Sequence, residues 1–283
     1  MTQRSKAIII LLITAVLFST SGYGLILIDW HPIAITGTRS AIALIPMVIM
    51  FGKPRMLNNA PSIAAAVCCA LTMFLFVIAN GLTTAANVIM LQYTAPIYVA
   101  IMGIWLLKER IHRRDVITLC IVMLGLVLFF IDDLDYRGML GNILALTSGV
   151  TLAGMTVCLR MIRNNYIRPA DAIMWGNILS AAIGVPFALF YGMPGTTVSW
   201  AGLAFLGLFQ LGLSYGLYVR AVKHVTALEL SLIPIIEPLL NPILVAIFAF
   251  QIPGRYAIIG GVAVIGAITW NLVDKHVKGE VVV

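Results

Sequence analysis

Glu229, Glu237 and Asn241 share one apolar stretch, ELSLIPIIEPLLNPIL (229–244), with three prolines, Pro234, Pro238 and Pro242. A carboxylate in such a setting is a candidate proton carrier, and an ionised one facing lipid would cost about 3 kcal/mol. Glu237 must therefore face protein or water. On a helix, Glu229 and Glu237 lie about 12 Å apart along the axis and about 80° apart around it, with Asn241 about 40° further on. One polar sector thus runs along the element. Each proline removes a donor from the turn before it, freeing carbonyls near Leu230, Pro234 and Pro238. Irregular backbone at membrane depth is tolerated where it is buried in protein or lines a cavity. Two readings follow: the helix bends at Pro238 beside a cavity that Glu237 and Asn241 line, or the prolines kink a packed helix in which Glu237 anchors a neighbour such as Arg39.

Arg39, in TRSAIAL, is the other charge well inside an apolar run. It can snorkel, pair with a carboxylate or bind the carboxylate of a solute; pairing is the favoured expectation, because an unpaired guanidinium at depth is costly. Gln92, Tyr93, Tyr98, Trp175, Ser214, Tyr215 and Tyr218 are further polar or aromatic groups inside apolar runs. Hydroxyl groups in such runs usually serve helix packing, whereas the four tyrosines can form a wall both apolar and hydrogen-bonding. Trp30, Trp200 and Trp270 are placed as interfacial anchors.

Enzymatic chemistry finds no support in these residues. His31, His112, His224 and His276 are isolated, so no metal constellation forms at helical spacing. No phosphate-binding GxxxxGK[ST] loop is present, and no cofactor is called for. Cys68, Cys69, Cys120 and Cys158 all lie in apolar runs and are assigned to packing.

The elements that must carry these residues are set by composition. Of 283 residues, 61% are hydrophobic and 10% charged, with a mean hydropathy of +1.04. Ten stretches reach the length of about 20 residues that a span needs: approximately 6–28, 32–51, 61–82, 84–107, 115–131, 139–160, 170–191, 199–220, 225–249 and 255–273. Lipid offers the backbone no partner, and the runs lack a period of two, so all ten are helices. The chain is thus expected to be an all-α membrane protein. Alternate connections hold Arg4, Lys6, Lys53, Arg55, Lys108, Arg110, Arg113, Arg114, Arg160, Arg163, Arg168, Arg220, Lys223, Lys275 and Lys278, against only Arg137 and Arg255 on the opposite side. By the positive-inside rule both termini are cytoplasmic. The net charge of +7 is then a topology signal, and no nucleic-acid partner is implied.

A repeat is visible as well. Residues 83–98 laid over 225–240 pair Thr84 with Thr226, Ala85 with Ala227, Asn87 with Glu229 and Pro96 with Pro238. Two copies, residues 1–135 and 136–283, each hold five spans, and an odd number forces the second copy to be inverted. Inverted repeats are a transporter architecture with the site near the midplane, which makes Pro96 and Pro238 hinge candidates.

In its LFSTSGYG, TRSAIAL, TTAANVIMLQYTAPIYVAIMGIWLLKERI, Glu237-Pro238 and GGVAVIGAITW stretches the chain resembles ten-helix members of the EamA type in the drug/metabolite transporter superfamily, over essentially its whole length. Within that family it is most similar to YddG-type exporters of aromatic and other amino acids. The resemblance implies a secondary transporter of a bacterial inner membrane that exports amino acids and related metabolites by alternating access, with no enzymatic activity. Its partners would be small amino-acid substrates, the lipid bilayer and, through Glu229 and Glu237, a proton as coupling ion; the tyrosine wall suits such amphipathic solutes. An exporter of other metabolites or drugs, and a passive channel, are the alternatives. The Glu of the LLKE motif is present as Glu109, while the matching position in the second repeat is Gln251. Gln can replace Glu if the family residue shapes the loop by hydrogen bonding; if charge is needed, the repeats differ in function.

Overall fold

Short polar side chains start several of the helices. Thr2, Asn59, Thr84, Thr196 and Thr226 each accept a hydrogen bond from the backbone N–H three residues on, satisfying one of the donors that a helix start leaves over. The structure is a computed structural model that describes residues 2–20, 28–132, 134, 138–162, 166–192, 196–240 and 254–277. Among them every regular element is helical. In chain order these are α1 (Gln3–Ser19), α2 (Pro32–Phe51), α3 (Ala60–Asn80), α4 (Ala85–Gln92), α5 (Ala95–Met102), α6 (Arg113–Phe130), α7 (Met139–Met161), α8 (Pro169–Tyr191), α9 (Thr197–Phe205), α10 (Ser214–Ala221), α11 (Ala227–Leu232) and α12 (Arg255–Val277). Wide π turns at Gly103–Leu107 and Leu206–Leu213 continue α5 and join α9 to α10, and a tight 3₁₀ turn at Ile233–Ile235 leads from α11 into helix at 236–240.

Seven of the resulting runs are long and apolar enough to cross a membrane: Pro32–Phe51, Ala60–Asn80, Ala85–Leu107, Met139–Met161, Pro169–Tyr191, Thr197–Ala221 and Arg255–Lys275. Their outward faces are as apolar as their cores, with Trp105 80% and Phe190 84% exposed. Helices this hydrophobic all round are suited to a lipid surrounding. The remaining predicted spans correspond to α1, to α6 and to the segment that begins with α11, whose continuation past 240 lies outside the described residues.

Packing follows a regular plan. α2 lies along α8 and α6 along α12, while α3 packs on both α7 and α8; α10 sits on α1, and the Leu206–Leu213 turn on α2. At two crossings the backbones themselves meet. A Cβ on Gly37 would overlap Gly184, and one on Gly260 would overlap Gly125, so close approach of α2 to α8 and of α6 to α12 depends on glycine.

Two helices expected to be continuous are interrupted. α4 stops at Gln92, Tyr93 and Thr94 form a turn, and α5 restarts at Ala95 with Pro96 in its first turn. Pro96 has no N–H for the Gln92 carbonyl, and its ring would crowd that carbonyl in a regular helix. In the second case the 3₁₀ turn Ile233–Ile235 falls in the turn before Pro238, and the Ile236 N–H closes back on the carbonyls of Ile233 and Pro234. Both irregular turns lie within about one turn ahead of Pro96 and Pro238, the residues at which the sequence predicts bends.

Candidate functional site

The two breaks bring a phenol and a carboxylate together. Tyr93, released from α4 at its C-cap, donates from Oη to Oε2 of Glu237 at 2.5 Å. Oε1 of Glu237 receives no hydrogen bond among the described residues, and the residue is half-buried. Tyr215, at the start of α10, lies within electrostatic range of Glu237, Tyr93 and Arg39. Its ring meets Phe18 edge to face at 5.3 Å, an apolar aromatic wall beside the charges. Tyr218, one turn on, shares a hydrogen bond with Thr156 at 3.2 Å.

Arg39 is 8% exposed, with an Nε that has no partner. The expected pairing of Arg39 with Glu237 is not what the structure holds. Among the described residues Arg39 makes no ion pair or hydrogen bond, while Glu237 is engaged by Tyr93. The physical reason is geometric: the Tyr93 turn presents its hydroxyl to Glu237 directly.

Other sequence candidates lie elsewhere. Gln92 donates to Ser148 at 2.6 Å, at the seam with α7. Ser214 turns back to the Phe209 carbonyl within its own widened turn. Trp175 donates to the Arg55 carbonyl at 2.9 Å, which ties α8 to the loop after α2 and keeps it out of the central group. Tyr98 packs with Ala95, Val99, Ala153, Val157 and Ala227. Pro96 and Pro238 are buried at the breaks, and Asn241 lies outside the described residues. Cys69 is buried and Cys68 and Cys158 partly so, all as free thiols, whereas Cys120 is exposed on α6.

Glu229 sits apart from this group, at the end of the bundle where Lys and Arg concentrate. It completes a capping box with Thr226 and pairs with Arg4 at 2.7 Å and with Lys275 at 3.6 Å. Lys275 also pairs with Asp115 at 3.0 Å, and Asp115 accepts from Asn271 at 2.9 Å. Glu109 holds Arg160 at 2.7 Å through one oxygen, and through the other accepts the Ala227 N–H at 2.9 Å. Glu109 therefore shapes its loop by hydrogen bonding as well as by charge, capping α11 from outside. Together these pairs join the starts of α1, α6 and α11 to the end of α12.

Sequence reasoning passed over one buried amide, Gln210, and a sulfur. Gln210 is buried in the Leu206–Leu213 turn with an unpartnered Oε1, and Asn177 likewise leaves Oδ1 unpartnered while its amide donates to Ile173. Ser40 and Ser180 both donate to Sδ of Met73 at 3.6 Å. Gln210 had a signal, a lone amide in LGLFQLGL; the methionine had none.

The sequence matches the profile of the EamA-like transporter family over residues 5–131 and again over 139–273. It is similar to an uncharacterized transporter of Archaeoglobus fulgidus, 25% identical over 169 residues that make up 60% of this chain and 60% of that protein. It is also similar to an uncharacterized transporter of Helicobacter pylori strain J99, 30% identical over 99 residues, 35% of this chain and 31% of that one. The chain thus spans less than two thirds of the length of these curated relatives. A protein of known crystal structure superposes with a TM-score of 0.79 at 16% identity, covering 97% of this chain and 99% of that one, a likeness of fold.

Proposed function

The chain belongs to the EamA-like transporter family of the drug/metabolite transporter superfamily, and on that premise we propose that it is a secondary carrier that exports aromatic and other neutral amino acids, with related metabolites, by alternating access. As a member of that family it is a multi-pass membrane protein and a transporter in place of an enzyme. In this reading ten helices form two inverted five-helix repeats, residues 1–135 and 136–283, with both termini on the cytoplasmic side of a bacterial inner membrane. The two matches to the family profile support the repeat. So does the packing plan, in which α2 pairs with α8 and α6 with α12, each helix with its counterpart in the other half.

The observation that carries the reading is the pair of matched breaks, at Tyr93–Thr94 and at Ile233–Ile235, each just ahead of a corresponding proline. Interrupted helices in equivalent positions of two halves are what carriers use to build a site and to rock around it. The ion pairs around Glu229 and Glu109 tie the helix ends together on the side read as cytoplasmic. The amphipathic tyrosines and the free oxygen of Glu237 favour a solute with both apolar and polar parts, which supports the likeness to YddG-type exporters.

Counterflow of radiolabelled Phe, Trp, Thr and Met into liposomes that hold the purified protein tests the proposal. Saturable exchange across several amino acids is the expected result. Flux that never saturates would make the bundle a pore, and exchange of nucleobases, drugs or sugars with no amino acid would replace the substrate class.

A further inference from the structure

We propose that Arg39 and Glu237 are the two poles of the binding site, Arg39 taking the carboxylate and Glu237 the ammonium of a zwitterionic α-amino acid, an assignment that rests on the carrier reading above. The two other buried cations among the described residues, Arg114 and Lys275, each have a carboxylate within ion-pairing distance, as do the partly buried Arg4, Arg160 and Arg168. Arg39 is the exception. It is more than nine-tenths buried, its Nε is orphaned, and it has no ion pair among the described residues. A buried guanidinium left without a counter-charge carries a desolvation penalty, which an incoming carboxylate would relieve with the bidentate geometry that suits this group.

Glu237 offers the complementary half. Tyr93 occupies one of its oxygens and leaves Oε1 without a donor among the described residues. Depth agrees as well. Arg39 is about 10 Å along α2 from Pro32, and Glu237 about 15 Å along its own helix from Ala227. Those two helix ends lie on opposite faces of an apolar layer about 30 Å thick, so both charges fall near its middle. Tyr215 interacts electrostatically with each of them, so one aromatic group is near both charges. A zwitterion between them compensates both charges at once. An amine or an acid alone leaves one pole unmatched, while the Phe18–Tyr215 ring pair receives the apolar side chain.

The experiment is counterflow with three solutes, phenylalanine, phenethylamine and 3-phenylpropionate, on the wild-type protein and on Arg39→Gln, Arg39→Lys and Glu237→Gln, each checked for monodispersity. Wild type should prefer phenylalanine to either truncated solute. Arg39→Gln should raise the KM for phenylalanine and phenylpropionate about tenfold or more, the scale for losing one partner of a charge pair, and leave phenethylamine unchanged. Glu237→Gln should do the reverse, sparing phenylpropionate. Arg39→Lys should restore part of the affinity, since charge is kept and the planar fork lost. Equal effects of each variant on all three solutes would overturn the assignment and make both residues structural. Should Arg39→Gln fail to fold, unchanged discrimination among the solutes by Arg39→Lys would overturn it equally. Absence of phenylalanine exchange by a monodisperse wild-type protein is a different failure, that of the amino-acid carrier reading itself, and the assignment would fall with it.

Discussion

The hydroxyl of Tyr93 donates to Glu237 across 2.5 Å and so ties the end of α4 to the helical segment 236–240, the two elements that break at matched positions. A hydrogen bond to a charged partner contributes about 1.5–3 kcal/mol. Tyr93→Phe keeps the ring among Val122, Leu126 and Phe129 and removes only the hydroxyl. The variant is expected to melt a few degrees lower in detergent, as about 2 kcal/mol implies for a chain of this size. Added phenylalanine should recover part of the difference, which thermal scans with and without the amino acid would show.

The prolines ahead of which the helices break give a prediction with two opposite signs. Pro238→Ala returns a backbone donor and gains up to about 3 kcal/mol of helix propensity. It should therefore leave stability unchanged or raise it, while slowing counterflow severalfold by straightening the segment. Pro96→Ala should behave alike. Variants as fast as wild type would remove the breaks from the transport cycle.

Glu229 is predicted to govern opening at the ion-paired end. Glu229→Gln keeps a side chain able to complete the capping box with Thr226 but withdraws the counter-charge from Arg4 and Lys275. Hydrogen exchange should then quicken about tenfold or more in residues 3–8 and 227–232, which share this contact, as local opening becomes easier. The KM for amino acids should change little, because the residue stands apart from Arg39 and Glu237. A large KM effect with unchanged exchange would contradict this division of roles.

Much of the frame was legible because membrane helices obey length and charge rules that a sequence displays directly. Seven of the apolar runs reappear as spans with ends shifted by a few residues, and the helix interruptions lie within about a turn of Pro96 and Pro238. Side-chain partners were less legible, since they depend on helix rotation. A turn at Tyr93–Thr94 redirects the Tyr93 ring onto Glu237, and that took away the partner expected for Arg39. Trp175 was placed with the central group by depth alone, yet its indole reaches the Arg55 carbonyl, a contact set by the loop after α2. For Glu109 the motif left loop shaping and charge both open, and the residue does both, accepting the Ala227 N–H and pairing with Arg160.

Coupling to protons turns on Glu237 as well. Glu229, Glu109, Asp115 and Asp171 are each held by cations at the ion-paired end, which leaves Glu237 as the carboxylate among the described residues that lies inside a span without a cation beside it. A proton and a substrate ammonium cannot both be held by its free oxygen. A carrier in which each displaces the other exchanges one amino acid inward for one proton outward in liposomes. Vesicles made acidic inside should therefore accumulate phenylalanine above equilibrium, and reversing the gradient should drive it out. In Glu237→Gln the same gradient should produce no accumulation, while counterflow at saturating phenylalanine continues. Wild-type uptake indifferent to the gradient would leave the protein a facilitator, with Glu237 serving substrate recognition alone.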